Sequence, residues 1–405
     1  MAPGPDNGTY VSIFTEGGPD RGHVVALLDK AGKPSPGWPV LLPGVYGCDL
    51  LLPVDDGSVR VVCDASSGDV QIRRVFALDA NARLLPGWPI DVGDIYTGRM
   101  IGTDLRTVEI VRVADGATGP ELVHMLTITE DGTTRRGVDL PTFCCDFFIG
   151  PDGTGWATGQ RDWDTSVKTD VAAFDLDGPR AGWPRTFDSN ASTPAFDAAG
   201  HFFMVVGSPI KKPDRTVVLD RDGRILPAGS DDLSIVSSTT RNGAGDTTPG
   251  EPTVAADGTA FVVNTAGGAT TIVSLDPSGQ PRAGWPYRSA LQMQWEGFCG
   301  DGDTGCGQAR ATPAVGSRNT LYLLQAASGP STGGSIVAIG ADGHVLAGWP
   351  VRLTRAGSQF ASITVAPDGG VWALAIEPES RGYSATVLSI AADSSIRYST
   401  TLVQP

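Results

Sequence analysis

One phrase returns along this chain at a period of about 50 residues, and no ordinary single-core domain repeats itself that way. It reads VVALLDKAGKPSPGWP (24–39), VFALDANARLLPGWP (75–89), VAAFDLDGPRAGWP (171–184), TIVSLDPSGQPRAGWP (271–286) and SIVAIGADGHVLAGWP (335–350). Three weaker copies cover 125–141, 216–229 and 386–402. The copies align on Asp29, Asp79, Thr129, Asp175, Asp220, Asp276, Gly340 and Ala391. A second phrase precedes each copy in register: a turn, then a β-rich run, as in DNGTYVSIF (6–14), DDGSVRVVC (55–63), ADGTAFVVN (256–264) and PDGGVWALA (367–375).

Each unit reads as four strands, here A to D. A short apolar strand A leads through a DG-type turn to strand B, the signal of a tight hairpin. A variable loop leads to strand C, and a second Asp-rich turn to strand D. No segment sustains a helical period. The expected fold is all-β: an eight-bladed β-propeller of four-stranded antiparallel blades. It forms one domain over 1–405, with blades near 1–43, 44–93, 94–142, 143–187, 188–231, 232–290, 291–354 and 355–405.

Gly-Trp-Pro is expected on strand D, the outer edge of each blade. Pro39, Pro89, Pro184, Pro286 and Pro350 would remove a donor there and blunt sideways pairing. Trp38, Trp88, Trp183, Trp285 and Trp349 would fill the wedges between blades, each burying about 150–250 Å². Only Met1–Pro5 precedes the first A–B turn, so the ring closes by blade packing, or the native chain extends upstream.

A formal net charge of −15 repels phosphate backbones and anionic lipid surfaces, which argues against nucleic acid as a partner. No run of apolar residues is long enough to span a bilayer, so no transmembrane segment is expected. Six cysteines fall in three local pairs, Cys48 with Cys63, Cys144 with Cys145, and Cys299 with Cys306. That pattern suggests disulfides in an oxidising compartment, hence an extracellular, periplasmic or cell-surface location with the leader absent from this sequence. The expected state is a monomer.

The phrases ALDANARLLPGW (77–88) and SLDPSGQPRAGW (274–285) resemble the repeats of the quinoprotein-like propellers, the superfamily of pyrroloquinoline-quinone alcohol dehydrogenases and outer-membrane assembly propeller lipoproteins. The resemblance implies an eight-bladed propeller. Asp-Gly mostly replaces the family's Thr-Gly, and Pro follows Trp, so only the fold carries over. In the quinone dehydrogenases a ring of adjacent cysteines lies against the cofactor, which makes Cys144–Cys145 a test of that reading.

The A–B and C–D turns are short, while the B–C and D–A connections vary widely. The two classes lie on opposite faces, so function is expected on the long-loop face. The loop at 159–170 offers Asp162 and Trp163, and that at 287–310 offers Trp295, Glu296 and Arg310. Arg99 and Asp146 mark strand-A entries to the channel, and Tyr96 lies in a D–A loop. Asp301 and Asp303 in DGDTG are candidate calcium ligands, which makes Ca²⁺ a possible cofactor. A polar loop around one anchoring Trp, a stapled loop without metal, and a hydrated channel lining remain the plain alternatives at these places. No GxSxG, HExxH or phosphate loop occurs. The expectation is an exported binding or scaffold propeller for a protein or carbohydrate ligand. The alternatives are an extracellular polysaccharide lyase or hydrolase and, further off, a quinone-dependent dehydrogenase.

Overall fold

The computed structural model describes residues 1–15, 22–54, 56–67, 70–92, 108–114, 122–141, 146–161, 168–188, 190–191, 194–208, 212–220, 222, 224–225, 252–266, 269–291, 313–325, 333–379 and 383–402. The described residues are all-β, with no α-helix and two short 3₁₀ turns. Their strands pair into antiparallel sheets within 2–43, 45–91, 108–141, 146–187, 190–219, 252–289, 314–352 and 359–402, called the first to eighth sheets below. Seven are four-stranded, and the fourth, where the outer strand is split, has five.

Within a sheet the chain runs from strand A outward. In the seventh, Ala314–Val315 pairs with Leu321–Gln325, which pairs with Ser335–Ile339, which pairs with Val351–Arg352. The two middle strands are buried at every position. Such burial on both faces requires cover from both sides, and the alternation of side chains divides it. In the fifth sheet Phe202, Met204 and Val206 pack with the fourth, while Phe203 and Val205 pack with the sixth.

The same division runs round the chain. Apolar clusters join the first sheet to the second, the second to the third, and so on to the seventh and eighth. One further cluster joins the eighth sheet to the first, through Ala366, Trp372 and Val387 against Val11 and Leu28. Among the described residues each apolar cluster joins neighbouring sheets, as in repeat architectures.

The short turns obey one chemistry. The Oδ1 of Asp29 accepts from the backbone N–H groups of Ala31 and Lys33, and Asp79, Asp220 and Asp276 repeat the arrangement. A carboxylate that hydrogen-bonds its own following backbone is the reason Asp recurs at this turn.

Gly-Trp-Pro does not lie in strand D. The outer strands Val40–Pro43, Ile90–Asp91, Arg185–Phe187, Tyr287–Ser289 and Val351–Arg352 all begin just after it. The five Trp–Pro peptides are cis. The prolines therefore delimit the outer strand rather than sit within it, and its two to four residues offer little edge.

The tryptophans fill gaps between sheets, as the sequence suggested, and also make a bond that it did not reveal. The indole Nε1 of Trp38, Trp88 and Trp285 donates to the backbone oxygens of Ala80, Glu130 and Ala341 at 3.1 Å, and Trp349 donates to that of Ala392 at 3.2 Å. Each acceptor follows the aligned turn residue of the next sheet. The preceding glycine is required by the closeness of that turn. Gly284 has φ +88°, and a Cβ there would lie 2.2 Å from the backbone oxygen of Asp342.

A second link starts from strand B. The phenols of Tyr10 and Tyr322 donate to the backbone oxygens of Gly57 and Gly369 in the next sheet's A–B turn, at 2.7 and 2.8 Å. The indole of Trp372 donates in the same way, at 3.0 Å, to Asn7 of the first sheet. Asn7, Gly57 and Gly369 are equivalent in the repeat, and all three have positive φ.

Candidate functional site

At both ends of the sheets the described carboxylates are tied into the scaffold. One end carries the A–B and C–D turns. Arg397 Nη1 lies 2.6 Å from Asp368 Oδ2, which joins the start of the outer strand to the A–B turn of the same sheet. Arg180 joins Asp152 in the same manner at 3.3 Å. Burial pushes the Asp368 carboxyl up, but the Gly370 N–H and the Arg397 guanidinium outweigh it and hold its pKa below the usual carboxylate range. Burial likewise opposes, and the Thr154 and Arg180 hydrogen bonds overcome, the shift at Asp152, with a lowered pKa as the outcome. In the fifth sheet, buried Asp197 binds the Ala199 and His201 backbone N–H groups and reaches His201 Nδ1 at 2.7 Å. These contacts set turn geometry.

The opposite end bears the B–C and D–A connections, and its described groups form the bases of those loops. The hairpin carrying Asp162 and Trp163 springs from the Arg161↔Lys168 pair. Beneath it buried Asp170 accepts from Thr186 Oγ1 at 2.5 Å. The loop carrying Trp295, Glu296 and Arg310 leaves from Tyr287–Ser289. Its base is a polar clamp across two sheets. Gln325 Nε2 of the seventh donates to Ser289 Oγ of the sixth at 2.9 Å, and Thr270 Oγ1 donates to the Leu291 backbone oxygen at 2.8 Å. Gln325 and Thr270 are buried, so the clamp fixes where this loop departs. At the eighth sheet, Arg355 grips Glu379 at 2.8 and 3.4 Å, and Ser384 donates to the same carboxylate at 3.0 Å. The Arg355 hydrogen bond is the chief cause of the lowered Glu379 pKa.

Trp163, Asp162, Trp295, Glu296, Arg310, Arg99, Tyr96, Asp301 and Asp303 lie outside the described residues, as do Cys144, Cys145, Cys299 and Cys306. Asp146 opens the strand Asp146–Ile149, opposite Thr158. Of the cysteines, Cys48 and Cys63 form the expected disulfide across strands A and B of the second sheet. Among the described residues no cluster of three metal-ligating side chains occurs. Among them also no helix is long and apolar enough to cross a membrane.

Sequence reasoning missed three features: the Trp bond to the following turn, the strand-B donors, and the clamp between Ser289 and Gln325. The strand-B donors had a visible signal. An aromatic recurs three residues after the turn position at Tyr10, Trp156, Phe261, Tyr322 and Trp372. The clamp had none, because Ser289 and Gln325 belong to no repeated phrase.

Antiparallel four-stranded sheets, each packed on the next, are the architecture of a β-propeller-type all-β protein. Comparison with solved structures agrees. The chain is similar to Porphyromonas gingivalis dipeptidyl peptidase 4, with TM-score 0.58 and 10% identity over 99% of this chain and 59% of that one. It is also similar to a eukaryotic initiation factor, with TM-score 0.52 and 11% identity over 97% of this chain and 87% of the other. Prolyl oligopeptidase B from Galerina marginata aligns at TM-score 0.49 and 11% identity over 96% of this chain and 54% of its own. The chain therefore spans little more than half the length of the two peptidases. At these identities the likeness concerns the fold, and it shows no quinone-type family. No family model and no curated protein matches the chain.

Proposed function

We propose that this protein is a closed eight-bladed propeller, exported from the cell, that binds a protein or glycan through its long-loop face. Closure is supported by Trp372 and Asn7, which repeat between the eighth and first sheets the link that Tyr10 and Tyr322 make between internal neighbours. Tyr398 adds to it by packing on Gly32, the first sheet's C–D turn, which has no room for a Cβ. Export is supported by the Cys48–Cys63 disulfide, a bond that persists in oxidising compartments.

The observation carrying the binding role is the fixed base beneath the long loops. The loop end stands on rigid bases such as the Ser289–Gln325 clamp, and its loops contain Trp163 and Trp295 among polar residues. Aromatic platforms on a fixed scaffold are suited to sugar rings or protein side chains.

The test is a binding screen on glycan and protein arrays with the parent chain and the Trp163→Ala and Trp295→Ala variants. The proposal expects a ligand whose binding falls at least about tenfold in one variant, with no change in melting temperature. Binding that both variants retain would overturn the loop assignment. Cleavage of an arrayed polysaccharide would replace binding by carbohydrate-active chemistry, and a quinone absorbance band developing with added Ca²⁺ would replace it by redox chemistry.

A further inference from the structure

The eighth sheet departs from the others at its rim. Its outer strand Ile396–Leu402 has seven residues, against two to four for the outer strands that follow Gly-Trp-Pro. The cause is in the sequence: SSIRYSTTLVQP carries no Gly-Trp-Pro, and no proline interrupts 394–404. The strand pairs on one side with Tyr383–Ile390, regularly from Ser389↔Tyr398 to Ala385↔Leu402, with a register shift before Ile390↔Ile396. On its other side it pairs with no strand among the described residues. Ile396, Arg397, Ser399 and Thr401 are exposed. A long outer strand presents a row of backbone donors and acceptors, the template for addition of another strand.

We propose that this edge is a dimer site, at which the same strand of a second copy of this chain adds antiparallel, with Ser399 facing its own counterpart on the two-fold axis. The residues themselves favour this occupant. Centred on Ser399, the pairing sets Tyr398 opposite Thr400 on one face, twice by symmetry. On the other face Arg397 meets Thr401. Aromatic–β-branched pairs across antiparallel strands are favourable, and like charges directly opposite are not. Here no two like charges meet. Arg397, the strand's only ionised side chain, is already engaged by Asp368 at 2.6 Å in its own sheet. A two-fold axis through one residue satisfies the isologous rule for closed dimers. The monomer expected from the sequence gives way, on this reading, to a weak dimer that salt strengthens, since two chains of net charge −15 repel.

Sedimentation equilibrium of the full chain, at low and high salt, measures the association. The parent and Ser399→Thr should dimerise alike, more tightly at high salt. Ser399→Glu and Ser399→Lys each place two like charges across the axis, and should raise the dimer dissociation constant at least about tenfold at unchanged melting temperature. An equimolar mixture of the Glu and Lys variants should recover the parent association. A parent that stays monomeric to the solubility limit would overturn the proposal. So would a dimer indifferent to charge at 399, or Glu and Lys variants that fail to rescue each other.

Discussion

Trp349 allows the linkage between neighbouring sheets to be weighed. Its side chain is 7% exposed, meets Tyr322 edge-on at a centroid distance of 5.5 Å and 63°, and donates to the Ala392 backbone oxygen of the next sheet at 3.2 Å. Trp349→Phe keeps an aromatic ring in the wedge but loses the bond to the Ala392 carbonyl. The net worth of such a bond is about 1 kcal/mol, and the lost apolar area brings the expected loss to about 2 kcal/mol. Trp349→Ala also leaves a cavity between sheets, and large-to-small changes of this kind cost about 3–5 kcal/mol. Urea unfolding at fixed salt, followed by far-ultraviolet circular dichroism, reads both. The same substitutions at Trp38, Trp88 and Trp285 should give similar losses, because the donor geometry is the same at 3.1 Å. An Ala variant that loses less than about 1 kcal/mol, or a Phe variant as unstable as the Ala variant, would refute a linkage made of packing plus one hydrogen bond.

Two further outcomes follow from the turns and the disulfide. The lowered pKa values of Asp152, Asp257, Asp276 and Asp368 mean that these carboxylates stabilise the fold above the unfolded carboxylate value of about 3.9, and that this contribution is lost as pH falls through the lower folded values. The melting temperature should therefore be level from about pH 8 to pH 5 and drop below about pH 4; Asp368→Asn should lower it at pH 7 and flatten the acid limb, and an unchanged limb would refute the assignment. The Cys48–Cys63 bond closes a loop of separation 15, so Cys48→Ala/Cys63→Ala should lose about 3 kcal/mol in urea unfolding, and a loss below about 1 kcal/mol would contradict a structural role.

Much of this fold is legible in the chain because its causes are local. Asp at the turn start binds backbone two and four residues on, so Asp29, Asp79, Asp220 and Asp276 announce their turns. Strands buried on both faces show as unbroken apolar runs, as in Phe202 to Val206. What stayed hidden depends on partners far along the chain. Gly-Trp-Pro suggested an edge strand, yet its indole answers to a turn 42 to 56 residues later, and only the packed sheets reveal that acceptor. The disulfide between Cys48 and Cys63 was legible because both cysteines lie on one hairpin. The loop residues Trp163 and Trp295 stand out by type alone, since a loop carries no packing period from which a role is read.

The central claim is that sheets one and eight are neighbours in a ring, and spin-label distances test it most directly. Nitroxides carried on non-cysteine residues leave the native cysteines intact. Lys30, Ala80 and Ala392 are exposed at equivalent C–D turn positions in the first, second and eighth sheets. The ring predicts that the 30/392 distance matches the 30/80 distance, because both pairs span one seam between adjacent sheets. A 30/392 separation far longer than 30/80 would contradict closure and, with it, the account of Trp372 and Asn7.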